Sequence, residues 1–118
     1  MALFNIKSIK KVENVSLPDD VKSLIRRRRL QVIVHSCIYY RLNNNLIPDY
    51  QYDNWGKELA RLHKKYGVVK IGCYDSYFSN WVEKPGNTYT GFKLPINDSK
   101  IIAIATDLVK QANEHKKI

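Results

Sequence analysis

Residues 38–53 read Ile-Tyr-Tyr-Arg-Leu-Asn-Asn-Asn-Leu-Ile-Pro-Asp-Tyr-Gln-Tyr-Asp, and this stretch decides the fold because it joins two helical patterns. Asn tolerates left-handed backbone conformations, so Asn43–Asn45 is expected to end the first helix. Leu46–Pro48 predicts a short extended link, after which Asp49 is expected to serve as the N-cap of the next helix. A link this short predicts an antiparallel helical hairpin.

The helix after the link carries the clearest amphipathic pattern in the chain. Its apolar residues recur at three- and four-residue steps, which places them on one face of a helix; they are Tyr52, Trp55, Leu59, Leu62 and Tyr66. Gly67 is a typical C-terminal stop. We therefore expect the second helix to end there.

The helix before the link is predicted to begin near Ser16 and to end at about Arg41 or Leu42. Ser16 or Leu17 is expected at the cap, and Pro18 suits the first turn, where acidic residues also favour the positive end of the dipole. The run Arg26–Arg29 interrupts its apolar face. Four successive residues point in every direction around a helix. At least one arginine must therefore lie near the buried face, where it either reaches water or meets an acid.

The remainder of the chain is less regular. Residues 68–71 predict a strand or an extended link, residues 76–82 one or two helical turns, and residues 88–92 an extended segment. Asn97–Ser99 is expected to cap a last helix, whose apolar stripe is Ile101, Ile102, Ala105, Leu108, Val109 and Ala112. The predicted fold class is mainly α, with α+β as the alternative. A single domain is expected, with an N-terminal segment (1–15), the hairpin (16–67) and a last part (68–118) in which an extended segment precedes a helix packed on the hairpin.

The charge is high and unevenly distributed. The net charge is +9, with fourteen Lys and Arg against six Asp and Glu through Lys70, and six against five after it. A basic half favours an anionic partner, although solubility alone is the simpler explanation. Cys37 and Cys73 form no CxxC pair and have no His at metal-binding spacing, so no zinc site is expected. With no signal peptide or membrane span in the sequence, a cytoplasmic protein is expected.

Aromatic and acidic side chains are expected to meet at the rim of the hairpin. Tyr39 and Tyr40 lie in the last turn of the first helix, while Asp49, Tyr52 and Asp53 lie at the start of the second. Tyrosine rings can stack on a flat heterocycle, and more strongly if it is cationic. Carboxylates can accept hydrogen bonds from ribose hydroxyls. This combination is suited to a nucleotide.

The same residues resemble a known family. The Tyr39–Tyr40 pair, the ten-residue step from Tyr39 to Asp49, and the string Ile47-Pro48-Asp49-Tyr50-Gln51-Tyr52-Asp53 resemble the N-terminal, nicotinamide-recognising domain of bacterial NAD-dependent DNA ligases. The resemblance implies that Tyr39 and Tyr52 contact the nicotinamide of NAD or nicotinamide mononucleotide. It also implies that Asp49 and Asp53 handle the ribose. Tyr40 stands where members carry His or Tyr.

The resemblance covers about 45 residues and ends after Gly67. No Lys-x-Asp-Gly nucleophile motif follows, and a chain of 118 residues is too short for the other ligase domains. The second half, around residues 88–95, resembles the tail of small ligase-related proteins of bacteriophages and prophages. On the alternative interpretation, Asp49 is only a helix cap and Tyr52 only a core residue.

A basic surface is the other candidate site. Arg26–Arg29 could face phosphates or an acidic partner, or could simply be solvated. The residues expected to support this surface are Lys22, Arg41, Lys57, Arg61, Lys64 and Lys65. Catalysis has little support from the sequence. His35 and Asp53 could form an acid–base pair, but a lone His on a helix that packs against another is more often structural.

Three functional hypotheses follow from the sequence. The first is a non-catalytic binding module, derived from a ligase and encoded by a phage, that retains affinity for NAD or nicotinamide mononucleotide. The second is a phage inhibitor of a host protein, such as a CRISPR or other defence nuclease. The third is an accessory protein that binds nucleic acid.

Overall fold

The computed structural model describes residues 17–86 and 89–116, which form three α-helices and no strand. These are α1 (Asp19–Tyr40), α2 (Asp49–Tyr66) and α3 (Ser99–Lys116), with short 3-10 turns at Asp75–Phe78 and Gly91–Lys93. The prediction of a mainly α fold is confirmed. The strand considered for residues 68–71 does not form, and the predicted N-terminal segment (1–15), together with Ser16, lies outside the described residues.

Helix α1 is the centre of the fold because it packs against both α2 and α3. It therefore buries side chains on more than one face, including the consecutive residues 32–34 and 36–38. Leu59 and Ala60 of α2 complete one side of the core, and Ile101 and Ala105 of α3 complete another. The predicted hairpin and the return of the last helix onto it are both present.

The first residues of α1 and α2 differ slightly from those predicted. α1 begins at Asp19 with Pro18 in the N-cap position, not near Ser16. α2 begins at Asp49 itself, so the assignment of Asp49 as N-cap is wrong by one residue, and Pro48 holds that position with an extended backbone. The carboxylate of Asp49 instead lies in the first turn, where it favours the positive end of the dipole.

Both helix stops in the hairpin follow the predicted chemistry. Asn43 has a φ of 53°, which is the left-handed conformation expected of an asparagine that ends a helix. Gly67 has a φ of 81° directly after α2, where a side chain would be strained. Both stops therefore lie at the residues that the sequence predicts.

The segment between α2 and α3 packs along the hairpin without forming a layer of its own. Trp81 donates its indole N–H to the Gly56 carbonyl at 2.9 Å, and Phe78 is fully buried. Asp98 caps α3 by accepting from the backbone N–H groups of Lys100 and Ile101. Of the segment predicted to be extended (88–92), Thr90 is extended, residue 88 lies outside the described residues, and a 3-10 turn begins at Gly91. In the described part of the chain, no helix has the length and apolar character to cross a membrane.

Candidate functional site: a cleft at the rim of the hairpin

A cleft of about 100 Å³ opens where α1 ends and α2 begins. Four of the five predicted nucleotide-binding residues line it: Tyr39, Tyr40, Asp49 and Tyr52. His35 and Ser36 form its wall on the α1 side, and residues 44–47 of the connecting loop form the opposite wall. We call this the hairpin cleft. The local sequence builds it, because the Asn-rich stop and the Leu46–Pro48 link bring the two helix ends together.

The tyrosines differ in how much they present to solvent. Tyr39 and Tyr40 are 57% and 44% exposed, and their rings meet edge to face at 4.9 Å. Tyr52 is half-buried, and its hydroxyl lies 2.7 Å from Ser36 Oγ in a hydrogen bond. Burial raises the pKa of Tyr52, with the Ser36 hydrogen bond opposing that shift. Tyr39 and Tyr40 thus present open ring surface, while Tyr52 is held in place as part of the wall.

Asp53 lies outside the hairpin cleft. It lines a neighbouring cleft of about 200 Å³ with Tyr40, Lys57 and Tyr89, which we call the second cleft. Gly91 also lines this cleft, and it lies so close to the hairpin that a Cβ there would overlap Ser36 Oγ and Tyr52 Oη. The structure therefore brings four of the five predicted residues together and places Asp53 on the far side of Tyr40 and Tyr52.

The size of the hairpin cleft limits what it can hold. Pockets for whole small molecules usually measure about 300 Å³ or more, and this one measures about 100 Å³. Open tyrosine rings and the exposed Asp49 carboxylate fit a single flat ring with a polar substituent. The remainder of a mononucleotide would extend into solvent.

One arginine of the predicted basic surface, Arg29, is buried in the core. Arg29 is 0% exposed, and its guanidinium forms a 2.7 Å ion pair with Asp75. Arg28 pairs with Glu58 at 2.6 Å, and Arg26 donates to the Ile71 carbonyl. Including Arg29 in a surface for partners was therefore wrong. The expectation that one arginine of the run meets an acid near the buried face is confirmed.

The surroundings of Arg29 satisfy its donors in full. It donates to the carbonyls of Val69 and Cys73, and its guanidinium lies 5.3 Å from the centre of the Phe78 ring. Burial would raise the pKa of Asp75. Hydrogen bonds from the Ile71 N–H, the Arg29 guanidinium and the Gly72 N–H outweigh it and hold that pKa below its usual range. A buried charge so well paired is a structural element of the core.

His35 and the cysteines have surroundings that favour packing. The His35 ring lies 5.4 Å from the Trp55 ring at a tilt, and burial lowers the pKa of His35. Cys37 and Cys73 are buried free thiols whose pKa values are raised by burial. In the described residues, no group of three or more His, Cys, Asp and Glu side chains could hold a metal ion.

Sequence reasoning missed the residues whose role depends on distant contacts. Phe92 is 63% exposed, and its ring lies 5.4 Å from that of Tyr40. His63 and Asp75 complete the Arg29 cluster from positions 34 and 46 residues away. The sequence offered a signal only for His63, which lies four residues after Leu59 and therefore on the apolar face of α2.

Part of this chain is similar in sequence to a DNA ligase. A DNA ligase from Pseudothermotoga lettingae is 36% identical to this chain over 52 residues, which is 44% of this chain and 8% of the ligase. The chain thus matches only a small part of the length of that curated relative. No protein-family model and no solved structure matches it. The chain therefore contains a region distantly related to DNA ligase.

Proposed function

We propose that this chain is a ligase-related, non-catalytic binding module whose hairpin cleft takes the nicotinamide ring of nicotinamide mononucleotide or NAD. The observation that carries the proposal is the convergence of Tyr39, Tyr40, Asp49 and Tyr52 on one cleft. The distant similarity to a DNA ligase supports it. We also propose that the related region is the N-terminal domain of the ligases, on the resemblance of residues 39–53. A phage origin is proposed on the resemblance of the second half of the chain.

The tyrosines and the carboxylate of the cleft would make different contacts with the ligand. The exposed faces of Tyr39 and Tyr40 would stack on the cationic ring, which a tyrosine attracts through its π-electrons. Asp49 is exposed at the cleft and would accept hydrogen bonds from the ribose. Since one side of the small cleft is open to solvent, we expect a Kd between about high micromolar and millimolar.

Calorimetric titration with nicotinamide mononucleotide and NAD tests this function. Saturable heat is expected for the native chain, and Tyr39→Ala and Asp49→Ala should each weaken binding at least fivefold. Tyr50→Ala is the matched control, because Tyr50 is 68% exposed next to Asp49 and does not line the cleft. No heat at millimolar ligand, or equal loss in the Tyr50 variant, would contradict the proposal.

The inhibitor hypothesis proposes a different use of the same hairpin, in which a host protein is bound and blocked. No described contact favours it over nucleotide binding, and it stays a prediction. It requires a stable complex that survives gel filtration.

A further inference from the structure

The chain has a second surface, next to the hairpin cleft, in which cations and exposed rings meet. Lys57, Arg61 and Lys64 lie at three- and four-residue steps along α2 and are all exposed. Such spacing places them on one helix face, over about 10 Å of helix. Within residues 17–86 and 89–116, none of the three forms an ion pair. We call them the basic stripe.

An aromatic row begins where the basic stripe ends. Tyr40 and Lys57 line the same second cleft. From Tyr40 the rings continue to Tyr39 at 4.9 Å and to Phe92 at 5.4 Å, each meeting edge to face. Tyr39, Tyr40 and Phe92 are all more than two-fifths exposed. Exposed apolar rings in contact with one another are unusual on a surface that binds nothing.

From this juxtaposition we infer that the basic stripe and the aromatic row together bind single-stranded nucleic acid. The stripe attracts phosphates, and the open ring faces stack on bases that are free of a duplex. A duplex would offer phosphates to the stripe but no base face to Phe92. Tyr39 and Tyr40 belong to both the hairpin cleft and the aromatic row, but the basic stripe and Phe92 do not line the hairpin cleft. Variants of Phe92 and of the stripe therefore test this inference separately from the proposed nucleotide function.

Asp53 places a negative charge within this surface. It is the carboxylate among the described residues that line the second cleft, beside Lys57 and Tyr40. A phosphate strand that crosses the second cleft would be repelled by that charge. Asp53→Asn should therefore strengthen strand binding.

Fluorescence anisotropy with labelled 15-nucleotide oligo-dT and oligo-U, and with a DNA duplex of equal length, measures this binding. Both single strands should bind in about 50 mM salt and weaken steeply by about 200 mM. Phe92→Ala should weaken single-strand binding about fivefold or more, since stacking on one base contributes about 1–3 kcal/mol. Lys57→Gln with Lys64→Gln should reduce the salt slope by about 1.4, at about 0.7 for each lost phosphate contact.

A matched charge control decides whether the site or the net charge is responsible. Lys100 and Lys110 are exposed on α3, so Lys100→Gln with Lys110→Gln removes the same charge elsewhere. That variant should keep most of the affinity. Equal weakening by both lysine pairs, wild-type affinity in Phe92→Ala, tighter binding of the duplex than of either single strand, or no single-strand binding in about 50 mM salt would each overturn the inference.

Discussion

Arg29 and His63 are hydrogen-bonded inside the core, with both Nε and Nη2 of Arg29 lying 3.2 Å from His63 Nε2. Both arginine nitrogens are donors, so Nε2 must accept. The hydrogen therefore sits on Nδ1, which donates to the Trp81 carbonyl at 2.8 Å. Neutral His63 thus links α1 to the segment that follows α2, and a positive His63 would face the buried Arg29 charge.

Removing the Arg29 side chain should be among the most destabilising single changes in the chain. Arg29→Met removes the charge that pairs with Asp75 and the donors that Arg29 supplies to His63 and two backbone carbonyls, which costs about 3–5 kcal/mol. Urea unfolding followed by circular dichroism measures the loss. Arg27→Met is the control, because Arg27 is exposed in the same helix, and it should change stability by less than about 0.5 kcal/mol. Similar losses in both variants would contradict the assigned role.

The two ion pairs of α1 should contribute unequally to stability. Arg28–Glu58 has side chains 18% and 36% exposed, so Glu58→Gln should cost less than about 1 kcal/mol. Asp75→Asn should cost several times more, since it leaves the fully buried Arg29 without its counter-charge. Equal midpoints of urea unfolding for the two variants would disprove the distinction.

Stability should fall as the pH is lowered from about 6.5 toward 4. Burial lowers the pKa of His63 to about 4, with the nearby Arg29 charge acting in the same direction and the Trp81 hydrogen bond opposing it. In that window the unfolded chain binds a proton on His63 and the folded chain does not, so protonation favours unfolding. The full effect is roughly 3 kcal/mol.

An NMR titration separates the contribution of His63 from that of His35. His35 also has a pKa lowered by burial and adds to the same trend in urea midpoints between pH 7 and 4.5. Histidine ring resonances in NMR spectra resolve the two: those of His63 should stay in the neutral form down to about pH 5. Protonation of His63 near pH 6.5 in the folded chain would contradict the buried acceptor role.

Two glycines should respond oppositely to alanine. A Cβ at Gly91 would overlap Ser36 and Tyr52, so Gly91→Ala should destabilise by about 1–3 kcal/mol and disturb the wall of the hairpin cleft. At Gly56, inside α2, a Cβ would meet only the edge of the Trp81 ring at 3.4 Å. Gly56→Ala should therefore be neutral or stabilise by up to about 1 kcal/mol through helix propensity. Thermal melts of the two variants that shift in the same direction would contradict this contrast.

The candidate site was predictable in the part that local sequence controls. Tyr39, Tyr40, Asp49 and Tyr52 share a cleft because they flank one short loop, and the loop length follows from residues 43–48. The position of Asp53 was not predictable in this way. Its side chain lines the second cleft together with residues 89–91, which reach the site from the other half of the chain.

By itself, the sequence determined the hairpin, its two stops at Asn43 and Gly67, and the last helix, because helical periodicity and left-handed stops depend on neighbours within about four residues. Only the tertiary structure decided which arginine of four is buried, and which ring stands beside Tyr40. Arg29 meets Asp75 across 46 residues, and Tyr40 meets Phe92 across the chain. Such contacts depend on how whole elements pack, and no local pattern encodes them.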